Sequence, residues 1–79
     1  MDTLQQVIVN LQELEQDSTT PKNVRAKIVS TIKMLNDNSE RSIKVSKALN
    51  ELEGIADDIN VQSYTRTQIF NIVSLLEVV

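Results

Sequence analysis

The sequence predicts an all-α protein, a four-helix up-and-down bundle made of two similar helical hairpins, and three observations carry that expectation. Gly and Pro occur once each in 79 residues, and the only large aromatics are Tyr64 and Phe70. Strands draw on aromatics and their turns on Gly and Pro, so a β fold lacks its materials. Apolar residues recur at three- and four-residue spacing in four segments, the period of a helix with one buried face. The stretches between segments are short, which favours antiparallel neighbours closing on one core.

The first segment runs from about Thr3 to Gln16, with Leu4, Val7, Ile8, Leu11 and Leu14 on one face and Gln5, Gln6, Gln12, Glu13 and Glu15 largely on the other. The second opens at Thr19-Thr20-Pro21. A Thr is a good N-cap and Pro suits the first helical position, where its missing N–H would lack a partner anyway. Val24, Ile28, Ile32 and Leu35 form its stripe, with Val29 beside it, until Asn36-Asp37-Asn38-Ser39 breaks the pattern. Asn is suited to end this helix in the left-handed conformation and Ser39 to cap the next.

The third segment covers about Glu40 to Asp58, with Val45, Ala48, Leu49, Leu52, Ile55, Ala56 and Ile59 at helical spacing. Gly54 lies inside it, at a cost of about 1 kcal/mol relative to Ala. Either another helix approaches closely there, or the last turn bends. The fourth segment starts between Asn60 and Ser63 and runs to the end. Ile69, Ile72, Val73, Leu76 and Val79 form its stripe, which Phe70, Leu75 and Val78 widen nearly all round. A helix apolar on most faces is central or lies at a subunit interface.

Sliding the chain by 41 residues aligns its halves: Leu11 meets Leu52, Asp17 meets Asp58, Arg25 meets Arg66, Ile28 meets Ile69 and Leu35 meets Leu76. Hairpin one then covers about 2–37 and hairpin two about 39–79, within a single domain 1–79. A period near 40 is that of HEAT and armadillo hairpins. The order Asp17, Pro21, Val24-Arg25, Leu35 is similar to a HEAT repeat. Two repeats fall short of the three or more that a stable solenoid needs, so a closed bundle is favoured over an open solenoid. A chain this short has a marginal core and needs regular packing, a partner subunit or both.

At Asp17-Ser18-Thr19-Thr20-Pro21-Lys22-Asn23-Val24-Arg25 and at Arg66-Thr67-Gln68-Ile69-Phe70-Asn71-Ile72-Val73-Ser74-Leu75-Leu76-Glu77 the chain resembles uncharacterised protein family 0147, small archaeal helical proteins without assigned function. The chain departs from the family's tendencies at Gln62, where Pro is usual, and at Phe70, where Trp is usual. The resemblance implies an all-α fold and supplies no catalytic residues.

The chain contains no His, Cys or Trp. Ordinary zinc, haem, iron–sulfur and thiol sites therefore have no ligands, and Ser-His-Asp or Cys-His arrangements cannot be built. Diiron bundles need Glu-x-x-His, and no Gly-rich loop is available to cradle phosphate. Asp57 and Asp58 are adjacent and would point about 100° apart on a helix. No enzyme and no cofactor is expected. The N-terminus lacks a signal-peptide pattern and no run approaches the ~20 apolar residues of a membrane span, so a cytoplasmic protein without membrane contact is expected.

Three groups of residues remain as candidate sites. Asp17 with Arg25, and Asp58 with Arg66, read either as partner-binding pairs or as turn devices, the Asp accepting free N–H groups at the next helix start and the Arg bracing the turn. Charge is segregated: residues 22–47 carry Lys22, Arg25, Lys27, Lys33, Arg41, Lys44 and Lys47 against Asp37 and Glu40, a net +5 in a chain of −3. A basic patch of Lys22, Arg25, Lys33, Arg41, Lys44 and Lys47 suits a nucleic-acid phosphate backbone or acidic helices of the same fold. The overall acidity, and aromatics outside the basic segment, weigh against nucleic acid. Finally, the surplus apolar residues Phe70, Leu75, Val78 and Val79 are candidates for an interface. The function expected is a small non-catalytic protein–protein interaction or assembly module, working as a homodimer. The alternative is a weak nucleic-acid-associated protein using segment 22–47.

Overall fold

Four helices account for about three quarters of residues 2–79, which the computed structural model describes: α1 Thr3–Gln16, α2 Lys22–Asn36, α3 Arg41–Ala56 and α4 Ser63–Glu77. Each stripe turns inward. Leu4, Val7, Ile8, Leu11 and Leu14 of α1 meet Val24, Ile28 and Leu35 of α2, Ala48, Leu52, Ile55 and Ala56 of α3, and Ile69, Ile72, Val73 and Leu76 of α4 in one cluster. Burying a Leu, Ile or Val side chain stabilises by about 1.5–3 kcal/mol, so this cluster is the source of the fold's stability.

The packing order decides between bundle and solenoid. α1 packs on α2, α2 on α3, α3 on α4, and α4 back on α1, while the backbones of the diagonal pairs stay apart among the described residues. Two stacked repeats would instead set α1 against α3 and α2 against α4. The extents of 32 × 22 × 20 Å agree, because two helices 8–10 Å apart plus side chains give a square section of that width. The bundle is closed and up-and-down.

The connections differ from the expected ones in four places. Pro21 is the N-cap of α2 rather than its first helical residue, with ψ of 153°. Thr20 is buried, and its hydroxyl donates at 2.9 Å to the Leu14 carbonyl, which also accepts the Asp17 N–H at 3.2 Å at the end of α1. Asn36 and its neighbours adopt no left-handed backbone. The C-cap is Asp37 in extended conformation, and the hydroxyl of Ser39 bonds the Asp37 carboxylate while Glu40 precedes α3. α3 ends at Ala56, two residues short of Asp58. Ile59 continues the helical period but is 91% exposed in the turn, and Val61 is buried in its place. Gly54 neither admits another helix of the bundle nor bends the chain: it is exposed, inside a continuous helix, and an added Cβ would meet nothing within 4 Å.

Candidate functional site

The two turns that join helices within each hairpin are built alike. In the first, the Arg25 Nε donates to the Glu15 carbonyl at 2.9 Å and its Nη2 to the carbonyls of Asp17 at 3.1 Å and Thr20 at 3.2 Å. In the second, the Arg66 Nε donates to the Ala56 carbonyl at 2.9 Å and its Nη2 to the Asp58 carbonyl at 2.9 Å. Each guanidinium thus serves the carbonyls at a helix C-terminus, where a cation also opposes the helix dipole. The Asp side chains act within the loops. Asp17 Oδ1 accepts the Thr19 N–H at 2.9 Å and the Thr19 hydroxyl at 2.7 Å, and Asp58 Oδ1 accepts the Asn60 N–H at 2.9 Å. Neither reaches the first N–H groups of the following helix, because each closes a local Asx turn two residues on. The Thr19 backbone N–H, with its hydroxyl, holds Asp17 below the ordinary carboxylate pKa. The Ser39 hydroxyl, with the Asn38 N–H, does the same for Asp37.

The basic residues differ in how they are engaged. Arg25 is engaged as described. Arg41 pairs with Asp2 at 3.3 Å, the one ion pair among the described residues, and the Lys44 Nζ donates to the Asp37 carbonyl at 3.1 Å. Lys22, Lys33 and Lys47 are exposed. Eleven residues separate Lys22 from Lys33, which puts both on one face of α2 about 16 Å apart, while Lys47 belongs to α3.

The four expected interface residues also divide. Leu75 and Val79 are partly buried and pack against the core. Phe70 is 52% exposed, and Val78 is 76% exposed at the end of α4. Two grooves open along the α3–α4 seam. The first, of about 640 Å³, is floored by Val45, Leu49, Leu76 and Val79, with Arg41, Ser46 and Glu77 on its rim. The second, of about 420 Å³, holds Phe70 and Val73 between Glu53, Asp57 and Glu77. Glu77 borders both, so they form one interrupted apolar seam. Ile43, 47% exposed on α3, escaped the sequence reading. Its signal was available, since it is the apolar residue of α3 that falls off the helical stripe.

A hollow of about 220 Å³ lies between α1 and α4, lined by Asn10, Glu13, Asp17, Tyr64, Gln68 and Asn71 among others. No three acidic, His or Cys residues come together as a metal site among the described residues. No described helix is long and apolar enough to cross a membrane.

The model of an uncharacterised protein family, UPF0147, matches residues 1–79. The chain belongs to that family. A UPF0147 protein of Sulfurisphaera tokodaii is 35% identical over 77 residues, covering 96% of this chain and 86% of that one. A UPF0147 protein of Thermoplasma volcanium is 39% identical over 74 residues, covering 91% and 82%. The crystal structure of the unknown-function protein MMP1188 is 34% identical, with a TM-score of 0.93 over 99% of this chain and 90% of that one. A UPF0147 protein from Thermoplasma acidophilum superposes with the same TM-score and identity, over 96% of this chain and 91% of that one. These UPF0147 relatives are archaeal, the family is uncharacterised, and the all-α bundle is its shared fold.

Proposed function

We propose that this UPF0147 protein is a non-catalytic interaction or assembly module of the cytoplasm, working as a homodimer through its α3–α4 face. The observation that carries this reading is the uncovered apolar seam, where Phe70 stands about half exposed in a groove with Val73, next to the groove floored by Val45, Leu49, Leu76 and Val79. A single small bundle gains stability by covering such a surface. The basic segment supports nucleic-acid binding less well, since Arg25, Arg41 and Lys44 already serve carbonyls or Asp2.

Sedimentation equilibrium of the full chain tests the reading. The expected mass is twice 8.9 kDa, falling to the single mass in Phe70→Ser. A strict monomer at about 1 mM, a concentration at which even weak specific pairing is visible, overturns the homodimer. A salt-dependent shift of labelled RNA or DNA by the wild-type chain would transfer the assignment to nucleic acid.

A further inference from the structure

We propose that the second copy lays its α3 antiparallel along the outer face of this α3, about a two-fold axis at Asn50, so that Lys47 of each copy pairs with Glu53 of the other at the mouth of the groove that holds Phe70. This rests on the homodimer reading above and specifies how the second copy meets the α3 edge of that face.

Counted at about 100° per residue from Leu52, Ile43, Asn50 and Gly54 lie within about 20° of the direction away from the core; Leu52 is fully buried and the other three are exposed. They form a ridge along α3, and its two flanks differ in charge. Ser46, Glu53 and Asp57 are on the α4 flank, where they line the grooves. Lys47 is on the α2 flank, about 40° past the ridge, and lines neither groove of its own chain. Lys47, Glu53 and Asp57 are exposed, and none of the three side chains has a hydrogen bond or ion pair among the described residues.

A two-fold through Asn50, perpendicular to α3, reverses the helix and exchanges its flanks. Lys47 and Glu53 each stand three residues from Asn50, so Lys47 of the second copy arrives at the height of Glu53 and on the same flank. Its ammonium then lies over the second groove, where Phe70 is half exposed between Glu53, Asp57 and Glu77. Among the described residues no Lys or Arg lines that groove; carboxylates in register with a cation fix the docking of two surfaces, and an aromatic face adds to the attraction. The α2-flank position of Lys47, which keeps it off its own grooves, is what carries it over the groove of the other copy. The rest of the register is compatible. Ser46 and Gly54, each four residues from Asn50, face one another, and Gly54, where an added Cβ would meet nothing of its own chain within 4 Å, lets the helices come close. Glu51, the acid on the Lys47 flank, stands opposite Leu49 rather than opposite a carboxylate. Ile43, 47% exposed in the single chain, is covered. Each contact occurs twice, as a two-fold interface requires.

The test reverses charges on the full chain and reads mass by sedimentation equilibrium, with circular dichroism to verify that each variant is folded. Lys47→Glu sets carboxylate against carboxylate at both pairs, and Glu53→Lys sets ammonium against ammonium. Each variant alone is expected to weaken the dimer by about tenfold or more. An equimolar mixture of the two restores opposite charges at both pairs and is expected to sediment as a heterodimer, and the double variant Lys47→Glu with Glu53→Lys is expected to recover the homodimer. A wild-type dimer that both single variants leave intact, or a mixture and a double variant that stay monomeric, overturns this geometry while leaving the homodimer itself standing. A monomeric wild type removes both.

Discussion

Arg66 stands to Ala56 as Arg25 stands to Glu15: each Nε donates to a carbonyl ten residues earlier over 2.9 Å. Both arginines then reach the carbonyl eight residues earlier, on Asp17 or Asp58. The 41-residue repeat is therefore written in hydrogen bonds as well as in apolar spacing. Because the acceptors are carbonyls at helix ends, the arginines hold the turns whether or not the Asp carboxylates are charged.

Arg25→Ala and Arg66→Ala should each lose about 1–2 kcal/mol, since partly buried carbonyls lose a charged donor that water replaces incompletely. In a domain this size that lowers Tm by about 5–15 °C, read by thermal circular dichroism. Lys should recover little in either position. A single ammonium cannot span two carbonyls as the planar guanidinium does.

Thr65 carries the buried side-chain oxygen that has no hydrogen-bond partner among the described residues. Its counterpart 41 residues earlier is Val24, buried without any hydroxyl to satisfy. Thr65→Val keeps the shape and removes the orphaned group, so it should stabilise by about 1 kcal/mol. Urea unfolding should show a higher midpoint at unchanged slope; an unaltered or lower midpoint would mean that the hydroxyl is solvated or bonded in solution.

Gly54→Ala should raise unfolding free energy by about 1 kcal/mol through helix propensity alone. The substitution meets no neighbour in the chain and no unusual backbone angle. The measurement belongs at low micromolar concentration, where any effect on association is removed from the comparison.

Helix existence and core identity were legible because they follow from local spacing: all five expected stripe residues of α1 are buried. Helix ends were not, because distant groups decide them. Nothing in the period separates Ile55 from Ile59, yet the turn held by Arg66 and by Asp58 Oδ1 accepting the Asn60 N–H expels Ile59 and buries Val61. Thr20 looked like a cap for α2 but was drawn back to the Leu14 carbonyl of α1. In the candidate site, charge positions could be read but not their engagement. Arg41 is tied to Asp2 across 39 residues, a pairing no local pattern reveals. The seam emerges only when two helices are side by side, so Phe70 was visible as surplus while its neighbours Glu53 and Asp57 were not.

Asp17 and Asp37 give the acid response its sign. Thr19 N–H and hydroxyl groups stabilise the charged Asp17, and the Ser39 hydroxyl with the Asn38 N–H stabilises the charged Asp37. Both folded-state pKa values therefore lie below the ordinary 3.8. For a depressed carboxylate the folded state binds fewer protons than the unfolded chain, so its contribution is complete above the ordinary pKa and is lost as pH falls through the folded one. Tm should accordingly be level near neutrality and fall below about pH 4. Asp17→Asn retains an oxygen able to accept the Thr19 N–H but cannot titrate, so its Tm should decline less between about pH 4 and pH 2. Equal declines in variant and wild type would show that the Asp17 turn does not distinguish the two charge states.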